Sequence, residues 1–276
     1  MDTITRWNEA EGITWATEAD RFDRISEAQL EPLFTTSALR RGSCVLDVGC
    51  GAGATTLAAA WTCGPEGSAT GVDVSAPLLA VARWRAEELA NVSFVEADAS
   101  RDDLGSARYD VVISRSAVML FDDPAAGLAH VRAAMRPGGR LAFTVWSEAA
   151  RNGWSSIPAA VIARHLPQPI AASPPPRSPG AFALADPEVV RAAVRIAGFE
   201  DVRVEPLDHG AHVGDDVDDA LAFFDRVAGR GLRTVAPPHV VDQIAADLRD
   251  RLAEHLTPAG VVVPASAWLA SAVQPD

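Results

Sequence analysis

The sequence predicts an α/β fold with a doubly wound, mostly parallel sheet of about seven strands and a helical insertion before the last strand. Three observations support this prediction. Short apolar runs rich in β-branched residues alternate with helix-prone stretches, a glycine-rich turn joins the first such run to the next helix, and no segment repeats at a fixed period. Strands that alternate with helices build βαβ units, whose strands run parallel, and the lack of a repeat argues against a solenoid.

The elements of the first half follow in order along the chain. Apolar runs predict strands at residues 44–48, 69–74, 92–97, 109–114 and 140–146. The Ala-rich stretch 54–62 favours a helix, and Pro77 and Pro124 suit the first turns of helices that reach about residues 90 and 135. Pro137, Gly138 and Gly139 predict a turn into the fifth strand, because Pro cannot continue a helix and Gly adopts left-handed geometry.

The second half of the chain loses this rhythm. A proline-rich run at residues 166–180 predicts an extended loop. Asp186 is expected to cap a helix to residue 197, a strand follows at 202–204, and helices at 215–230 and 238–256 precede a last strand at 260–270. We therefore expect four units, which are a helical cap at 1–35, a Rossmann-like core at 36–206, a helical insertion or lid at 207–259, and the last strand with the C-terminus at 260–276.

Charge and composition exclude several kinds of partner. Of 276 residues, 24 are basic and 37 are acidic, which gives a net charge of −13, and 48% are hydrophobic. The acidic balance argues against nucleic acid, because phosphate binding requires Lys and Arg. The three cysteines fit neither a disulfide framework nor a zinc pair, and we see no leader and no apolar run near the roughly 20 residues of a membrane helix. We expect a cytoplasmic monomer or homodimer that binds a small molecule.

The segment most informative about binding is the glycine-rich turn after the first strand. Gly49, Gly51 and Gly53 stand between a buried strand and a helix, so that backbone amides and the helix dipole can face a closely approaching ligand. The run from Gly49 to Ala54 also satisfies the G-x-G-x-x-A pattern of dinucleotide binding, and Asp73 ends the next strand about 20 residues on. Binding of a nicotinamide dinucleotide is therefore one open interpretation, and a turn without a ligand is another.

Three further features separate these interpretations. Asp47 lies two residues before the first glycine, Asp98 closes the third strand, and residues 136–139 read Arg-Pro-Gly-Gly before the fifth strand. Together with the runs 45–53, 71–75 and 109–112, they stand in the order and spacing of the class I S-adenosylmethionine-dependent methyltransferases. The chain resembles this family, in particular its ubiquinone/menaquinone-type branch and bacterial small-molecule methyltransferases. The resemblance is strongest over about residues 40–147.

The resemblance implies roles for the matching positions. The glycine-rich turn would lie under the methionine and ribose parts of S-adenosyl-L-methionine, whose product is S-adenosyl-L-homocysteine. Asp73 would bind both ribose hydroxyls and Asp98 the adenine amino group, although the two acids could instead be a helix cap and an exposed strand end. Arg115 could bind a carboxylate or pair with surface acids. The expected cofactor-binding residues are Trp15, Asp47, Gly49, Cys50, Gly51, Gly53, Thr55, Asp73, Val74, Asp98, Ala99, Ser114 and Arg115.

The implied reaction is in-line displacement of a methyl group from the sulfonium to a small organic acceptor, with secondary metabolites as a candidate class. Alignment supplies much of such catalysis, and a base is needed only when the acceptor arrives protonated. No histidine stands out as that base, so no catalytic residue is assigned, and the acids near residues 122 and 215–219 are expected to cap helices rather than hold a metal. The acceptor pocket is expected to include Met119, Trp146, Trp154 and Phe224.

Two alternative functions stay open at the level of sequence. The first is an NAD-dependent oxidoreductase, which the glycine pattern favours. The second is a protein of the same fold that binds S-adenosylmethionine without transferring its methyl group. Trp7 and Trp15, eight residues apart, could share one face of an N-terminal helix, either beside a sulfonium cation or docked on the core.

Overall fold

The computed structural model of the protein describes residues 3–166 and 180–276. Eight strands lie within these ranges, and they are β1 Cys44–Val48, β2 Ser68–Asp73, β3 Val92–Glu96, β4 Tyr109–Arg115, β5 Met135–Trp146, β6 Glu200–Gly214, β7 Leu256–Thr257 and β8 Gly260–Val273. They form one sheet in the order β3-β2-β1-β4-β5-β8-β6, and the short β7 pairs with β8.

The sheet is parallel over its first five strands. β1 pairs in parallel with β2 and β4, β2 with β3, and β4 with β5, whereas β8 runs antiparallel to both β5 and β6. The predicted fold class, a doubly wound and mostly parallel sheet, is confirmed. Because the five parallel strands share one direction, their carboxyl ends meet at one edge, which is where ligands bind in open α/β sheets.

Helices cover both faces of the sheet. They are α1 Thr3–Asn8, α2 Ala10–Thr17, α3 Ala19–Ser26, α4 Leu30–Ser37, α5 Ala54–Cys63, α6 Ala76–Arg85, α7 Pro124–Ala133, α8 Gly153–His165, α9 Pro187–Ile196, α10 Val217–Phe224, α11 Arg230–Val235 and α12 Pro238–Ala253. Side chains alternate along each strand, so Val45 and Ile113 pack on Leu33 of α4, while Leu46 belongs to the opposite core with Leu128 of α7. The alternation fixes which strand residues face each layer of helices.

Strand β6 is much longer than the predicted strand at 202–204. It pairs with β8 from Glu200 opposite Val273 to Gly214 opposite Val261. It therefore continues past residue 207, where the sequence predicts the insertion to begin, and the first helix after it starts only at Val217. The division of the chain into a cap, a core and an insertion stays a prediction.

Two smaller element boundaries and the placement of Trp7 and Trp15 also differ from the prediction. The helix expected at 215–230 ends as an α-helix at Phe224 and continues through a π-helical turn, Asp225–Gly229, into α11. β5 begins at Met135, so the turn predicted at 137–139 lies inside the strand, where Gly138 has a φ of 71° and donates its N–H to Gln274. Trp7 and Trp15 lie on separate helices, although their rings are in contact.

Two sequence predictions meet limits of the described ranges. Residues 167–179, most of the proline-rich run, lie outside the described residues. Within 3–166 and 180–276 no helix is both long and apolar enough to cross a bilayer.

Candidate active site

A cavity of about 890 Å³ opens at the carboxyl ends of β1, β2 and β4. The helices α1 to α3 border it on one side, and α8 and α10 border it on another. Pockets for small molecules occupy about 300–1,000 Å³ and are lined mostly by apolar side chains with a few polar groups. Size and position therefore make this cavity the candidate active site.

The glycine-rich turn forms part of the cavity wall. Gly49 and Gly51 border the cavity with φ angles of 68° and 53°, which favour glycine. A Cβ on Gly49 would lie 2.2 Å from the Cβ of Ala117, whereas a Cβ on Gly51 would meet no described atom within 4 Å. Gly49 is thus required by packing, and Gly51 leaves open space beside its backbone.

Asp73 ends β2 beside this turn, and its carboxylate is held by the backbone. Its Oδ2 accepts the N–H of Gly51 at 2.8 Å, and its Oδ1 accepts the N–H of Ser75 at 2.9 Å. Burial raises the pKa of Asp73, and these backbone hydrogen bonds only partly oppose that rise. Each oxygen keeps a further lone pair, so the carboxylate can accept two more hydrogen bonds.

Asp98 follows β3 and borders the same cavity with Ala97 and Ala99. Its Oδ1 accepts the N–H and the hydroxyl of Ser100 at 2.9 and 2.6 Å, and its Oδ2 accepts Nε of Arg101 at 2.6 Å. Burial acts to raise the pKa of Asp98, but these hydrogen bonds outweigh burial and hold the pKa below its usual value. The side chain is therefore ionised and fixed at the cavity wall.

Asp47 lies behind the turn and does not border the cavity. Its Oδ2 accepts the hydroxyl of Thr56 at 2.6 Å, while its Oδ1 is buried without a hydrogen-bond partner among the described residues. Burial raises its pKa to about 7. A buried carboxylate with one unsatisfied oxygen favours a nearby positive charge or a proton.

Most of the residues predicted to bind the cofactor meet in the cavity wall. Those that border it are Trp15, Gly49, Cys50, Gly51, Thr55, Asp73, Val74, Asp98, Ala99 and Arg115. The other three predicted residues, Asp47, Gly53 and Ser114, do not border the cavity. Gly53 is the N-cap residue of α5 and faces Ala82, and Ser114 is fully buried in β4.

Arg115 connects the core to the N-terminal helices. Its guanidinium donates to Oδ1 of Asp23 on α3 at 2.7 Å, and Oδ2 of Asp23 accepts from Arg85 at 2.9 Å. Arg85 also donates to the carbonyl of Ala52 in the glycine-rich turn, at 2.9 Å. Asp23 therefore joins α3 to the end of β4 and, through Arg85, to the glycine-rich turn.

The four residues predicted for the acceptor pocket, Met119, Trp146, Trp154 and Phe224, all border the cavity. The rings of Trp146 and Trp154 lie 5.1 Å apart, and Phe182 stacks on Trp154 at 5.6 Å. This end of the cavity has flat aromatic walls, which suit a flat apolar molecule.

The sequence reasoning missed several residues of the cavity wall, among them Phe22, Asp23, Ser116 and Ser155. Phe22 stacks on Trp15 at 3.7 Å. Trp15 lies on α2 and Phe22 on α3, so the periodicity of a single helix does not predict their contact. Asp23 gives no local signal either, because its partners are 62 and 92 residues away in the chain.

No metal centre is formed by the described residues. Within 3–166 and 180–276, no three His, Cys, Asp or Glu side chains are placed to hold an ion. Asp123 and Asp216 cap α7 and α10 through hydrogen bonds to backbone N–H groups.

Comparison with known proteins places this geometry in context. Residues 45–139 match a family model described as a methyltransferase domain. A nocamycin O-methyltransferase from Saccharothrix syringae is 34% identical over 173 residues, 59% of this chain and 61% of that protein. A demethylmenaquinone methyltransferase from Staphylococcus aureus is 31% identical over 103 residues, 37% of this chain and 43% of that protein. The chain thus spans less than two thirds of the length of these curated relatives.

The whole described fold also has a solved counterpart. Phosphoethanolamine N-methyltransferase 2 of Haemonchus contortus, solved in complex with S-adenosyl-L-methionine, superposes with a TM-score of 0.62 at 19% identity, covering 100% of this chain and 60% of that chain. At this identity the similarity concerns the fold. Residues 45–139 therefore match a methyltransferase domain, in a chain that resembles the class I S-adenosylmethionine-dependent methyltransferases and has menaquinone-type and small-molecule methyltransferases among its relatives.

Proposed function

We propose that the protein binds S-adenosylmethionine in the cavity and transfers its methyl group to a small organic acceptor. The observation that supports this most is the carboxylate of Asp73, which is fixed by two backbone N–H groups and keeps two lone pairs for the hydroxyls of a ribose. The open space beside Gly51 suits close approach of a ligand to the backbone. The unsatisfied, buried oxygen of Asp47 lies behind the turn, and a cationic sulfonium in the cavity would favour the ionised form of this carboxyl.

The remaining contacts follow from the positions of the side chains. Asp98 would accept the adenine amino group at the cavity wall in exchange for one of its present hydrogen bonds to Ser100 or Arg101. The bound cofactor supplies a methyl group already activated by the sulfonium. The protein's own contribution is to align the two reactants and to exclude water, and such alignment is worth about 7–11 kcal/mol in favourable cases.

The acceptor end of the cavity supports a flat and largely apolar acceptor. Trp146 and Trp154 form one aromatic wall, with Phe182 stacked on Trp154, and Phe22 and Phe223 meet edge to face at 5.4 Å on another side. The relative from Saccharothrix syringae is named as an O-methyltransferase. We therefore favour an oxygen nucleophile on a secondary-metabolite-type molecule.

The predicted cap, residues 1–35, and the predicted insertion, residues 207–259, would cover the cavity through their helices, while residues 207–214 belong to β6. Ion pairs join them, since Arg24 on α3 pairs with Asp215 at 2.6 Å and Arg226 pairs with Glu18 at 2.5 Å. Arg21 pairs with Asp219 in the same region. These contacts hold the helices of the two segments together at the cavity rim.

Calorimetric titration tests the proposal. S-adenosylhomocysteine is expected to bind the wild type saturably, and Asp73→Ala should weaken that binding roughly 10- to 100-fold, because hydrogen bonds to a charged group contribute about 1.5–3 kcal/mol. Asp110→Ala is the matched control, since Asp110 also accepts a backbone N–H, that of Cys44, at a strand end on the opposite edge of the sheet. NAD is titrated in parallel. Binding of NAD in place of S-adenosylhomocysteine would contradict the proposal and favour a nicotinamide-dependent oxidoreductase.

A further inference from the structure

A buried amide links the cavity wall to strand β6. Gln29 is fully buried in the 3₁₀ turn between α3 and α4. Its Oε1 lies 2.7 Å from the hydroxyl of Thr144 and 3.3 Å from the hydroxyl of Ser116, and its Nε2 lies 3.1 Å from Nε2 of His209. One side chain thus contacts three others, and Ser116 is the one that borders the cavity.

His209 determines the direction of every hydrogen bond in this network. Its Nδ1 lies 3.1 Å from the carbonyl of Gly210, and a carbonyl only accepts, so Nδ1 bears a proton. Burial lowers the pKa of His209, so the imidazole is neutral and its Nε2 accepts. The amide nitrogen of Gln29 therefore donates to His209, and its oxygen accepts from the hydroxyls of Thr144 and Ser116.

With these hydrogen-bond directions, the hydroxyl of Ser116 can act toward the cavity only as an acceptor. A serine hydroxyl has one proton, and in Ser116 that proton is directed at Gln29. Ser116 has a φ of 57°, a conformation that costs a non-glycine residue about 1–3 kcal/mol and is concentrated at functional sites. Its neighbour Ala117 packs on Gly49 of the glycine-rich turn, so Ser116 stands where the turn and the acceptor end of the cavity meet.

We infer that Ser116 accepts a hydrogen bond from the hydroxyl group of the acceptor, so that the protein selects a free hydroxyl over the corresponding methyl ether. This inference rests on the proposed function and adds a specificity-determining residue to it. A hydroxyl that donates to Ser116 keeps its own oxygen lone pairs for attack on the methyl group. The C–S bond breaks with its electron pair left on sulfur as the thioether, and the hydroxyl proton is released to solvent. The methylated product has no such proton, loses this hydrogen bond and is bound more weakly than the acceptor.

The inference is tested with 2-naphthol and 2-methoxynaphthalene, a flat hydroxyl compound and its methyl ether. Their dissociation constants are measured by tryptophan fluorescence on protein saturated with S-adenosylhomocysteine. For each variant we take the dissociation constant of 2-methoxynaphthalene divided by that of 2-naphthol. The two compounds differ in hydrophobicity, but this difference is the same for every variant and therefore cancels when the ratios are compared. Ser116→Ala is expected to lower the ratio about fivefold, the factor given by one neutral hydrogen bond, and to leave binding of S-adenosylhomocysteine unchanged.

Two further variants distinguish this role from a general packing effect. Gln29→Met removes the acceptor of the Ser116 proton, so that this proton can be donated to the oxygen of the ether. The ether should therefore bind more tightly, and the affinity for the naphthol should stay the same. Ser155→Ala removes another hydroxyl at the cavity wall and should leave the ratio unchanged. An unchanged ratio in Ser116→Ala, or an equal fall in Ser155→Ala, overturns the inference. Failure of S-adenosylhomocysteine to bind the wild type would instead contradict the proposed function.

Discussion

At the scale of single residues, the local surroundings make the acids at the strand ends differ. Asp98 accepts hydrogen bonds from Ser100 and Arg101, which hold its pKa low. Asp47 is fully buried with one hydrogen-bond donor, Thr56, and burial raises its pKa to about 7. The same residue type is therefore a stable anion at one strand end and half-protonated near neutral pH at another.

Replacement of Asp47 by Asn is expected to stabilise the protein more at pH 8 than at pH 5. The native pKa near 7 exceeds the reference value of 3.8, so between these pH values the native state binds more protons than the unfolded state. Asp47 thus favours the native state below pH 3.8, and this contribution is lost as the pH rises to 7. Asn cannot ionise, so relative to wild type it gains about 3 kcal/mol between pH 5 and pH 8. Urea unfolding of both proteins at the two pH values measures the effect, and a pH-independent difference would contradict the assigned pKa.

Gly51 differs from Gly49 and Gly53 because a Cβ at this position would meet no described atom within 4 Å. Its φ of 53° makes Ala unfavourable by about 1–2 kcal/mol. The added methyl group of Gly51→Ala would occupy the open space beside the turn. We expect a modest fall in melting temperature and at least a tenfold loss of S-adenosylhomocysteine affinity.

Gly42→Ala provides the matched control for this prediction. Gly42 also has a positive φ, 80°, and no described atom lies within 4 Å of a Cβ built on it, but it does not border the cavity. The Gly42→Ala variant should show a similar fall in melting temperature and bind S-adenosylhomocysteine as tightly as the wild type. Equal affinity of the two variants for S-adenosylhomocysteine would show that the space at Gly51 is not a binding surface.

At the scale of elements, helix α3 is fixed to the core by the carboxylate of Asp23. Asp23 binds Arg85 and Arg115, whose side chains are only 15% and 9% exposed. Because Arg85 also binds the carbonyl of Ala52, the position of α3 and the shape of the glycine-rich turn are coupled. The N-terminal helices are thereby part of the site rather than an appendage.

Asp23→Ala is expected to cost about 2 kcal/mol of stability, because it leaves two largely buried guanidinium groups without their shared partner. Asp20→Ala is the control. Asp20 pairs with the same Arg85 but is 95% exposed, and exposed pairs contribute roughly 0–1 kcal/mol. Chemical unfolding gives the stabilities, and hydrogen exchange of α3 gives the local effect. Equal losses in the two variants would contradict the role assigned to Asp23.

Which elements the sequence could predict depends on the range of the interactions that form them. The β1 strand, the glycine-rich turn and α5 were predicted because their signals are local, consisting of an apolar run, three glycines and an Ala-rich stretch. The length of β6 was not, because its pairing with β8 joins residues some 50 or more positions apart, such as His209 with Ala265. The site shows the same division, since Asp73 was found from its own strand whereas Asp23 and Gln29 act only through distant partners.

At the scale of the whole molecule, the sheet edge, the N-terminal helices and the insertion helices enclose one cavity with two chemically different ends. One end has the glycine-rich turn, Asp73 and Asp98, and the other has the aromatic walls around Trp146. Ser116 lies where the turn and the aromatic end meet. We therefore predict that a cofactor and an acceptor occupy one cavity side by side.

A crystal structure of the protein with S-adenosylhomocysteine tests this claim most directly. We expect both ribose hydroxyls within hydrogen-bond distance of the Asp73 carboxylate, adenine beside Asp98, and the thioether sulfur directed toward the end of the cavity lined by Ser116 and Trp146. A ligand bound outside the cavity, or one whose ribose does not contact Asp73, would contradict it.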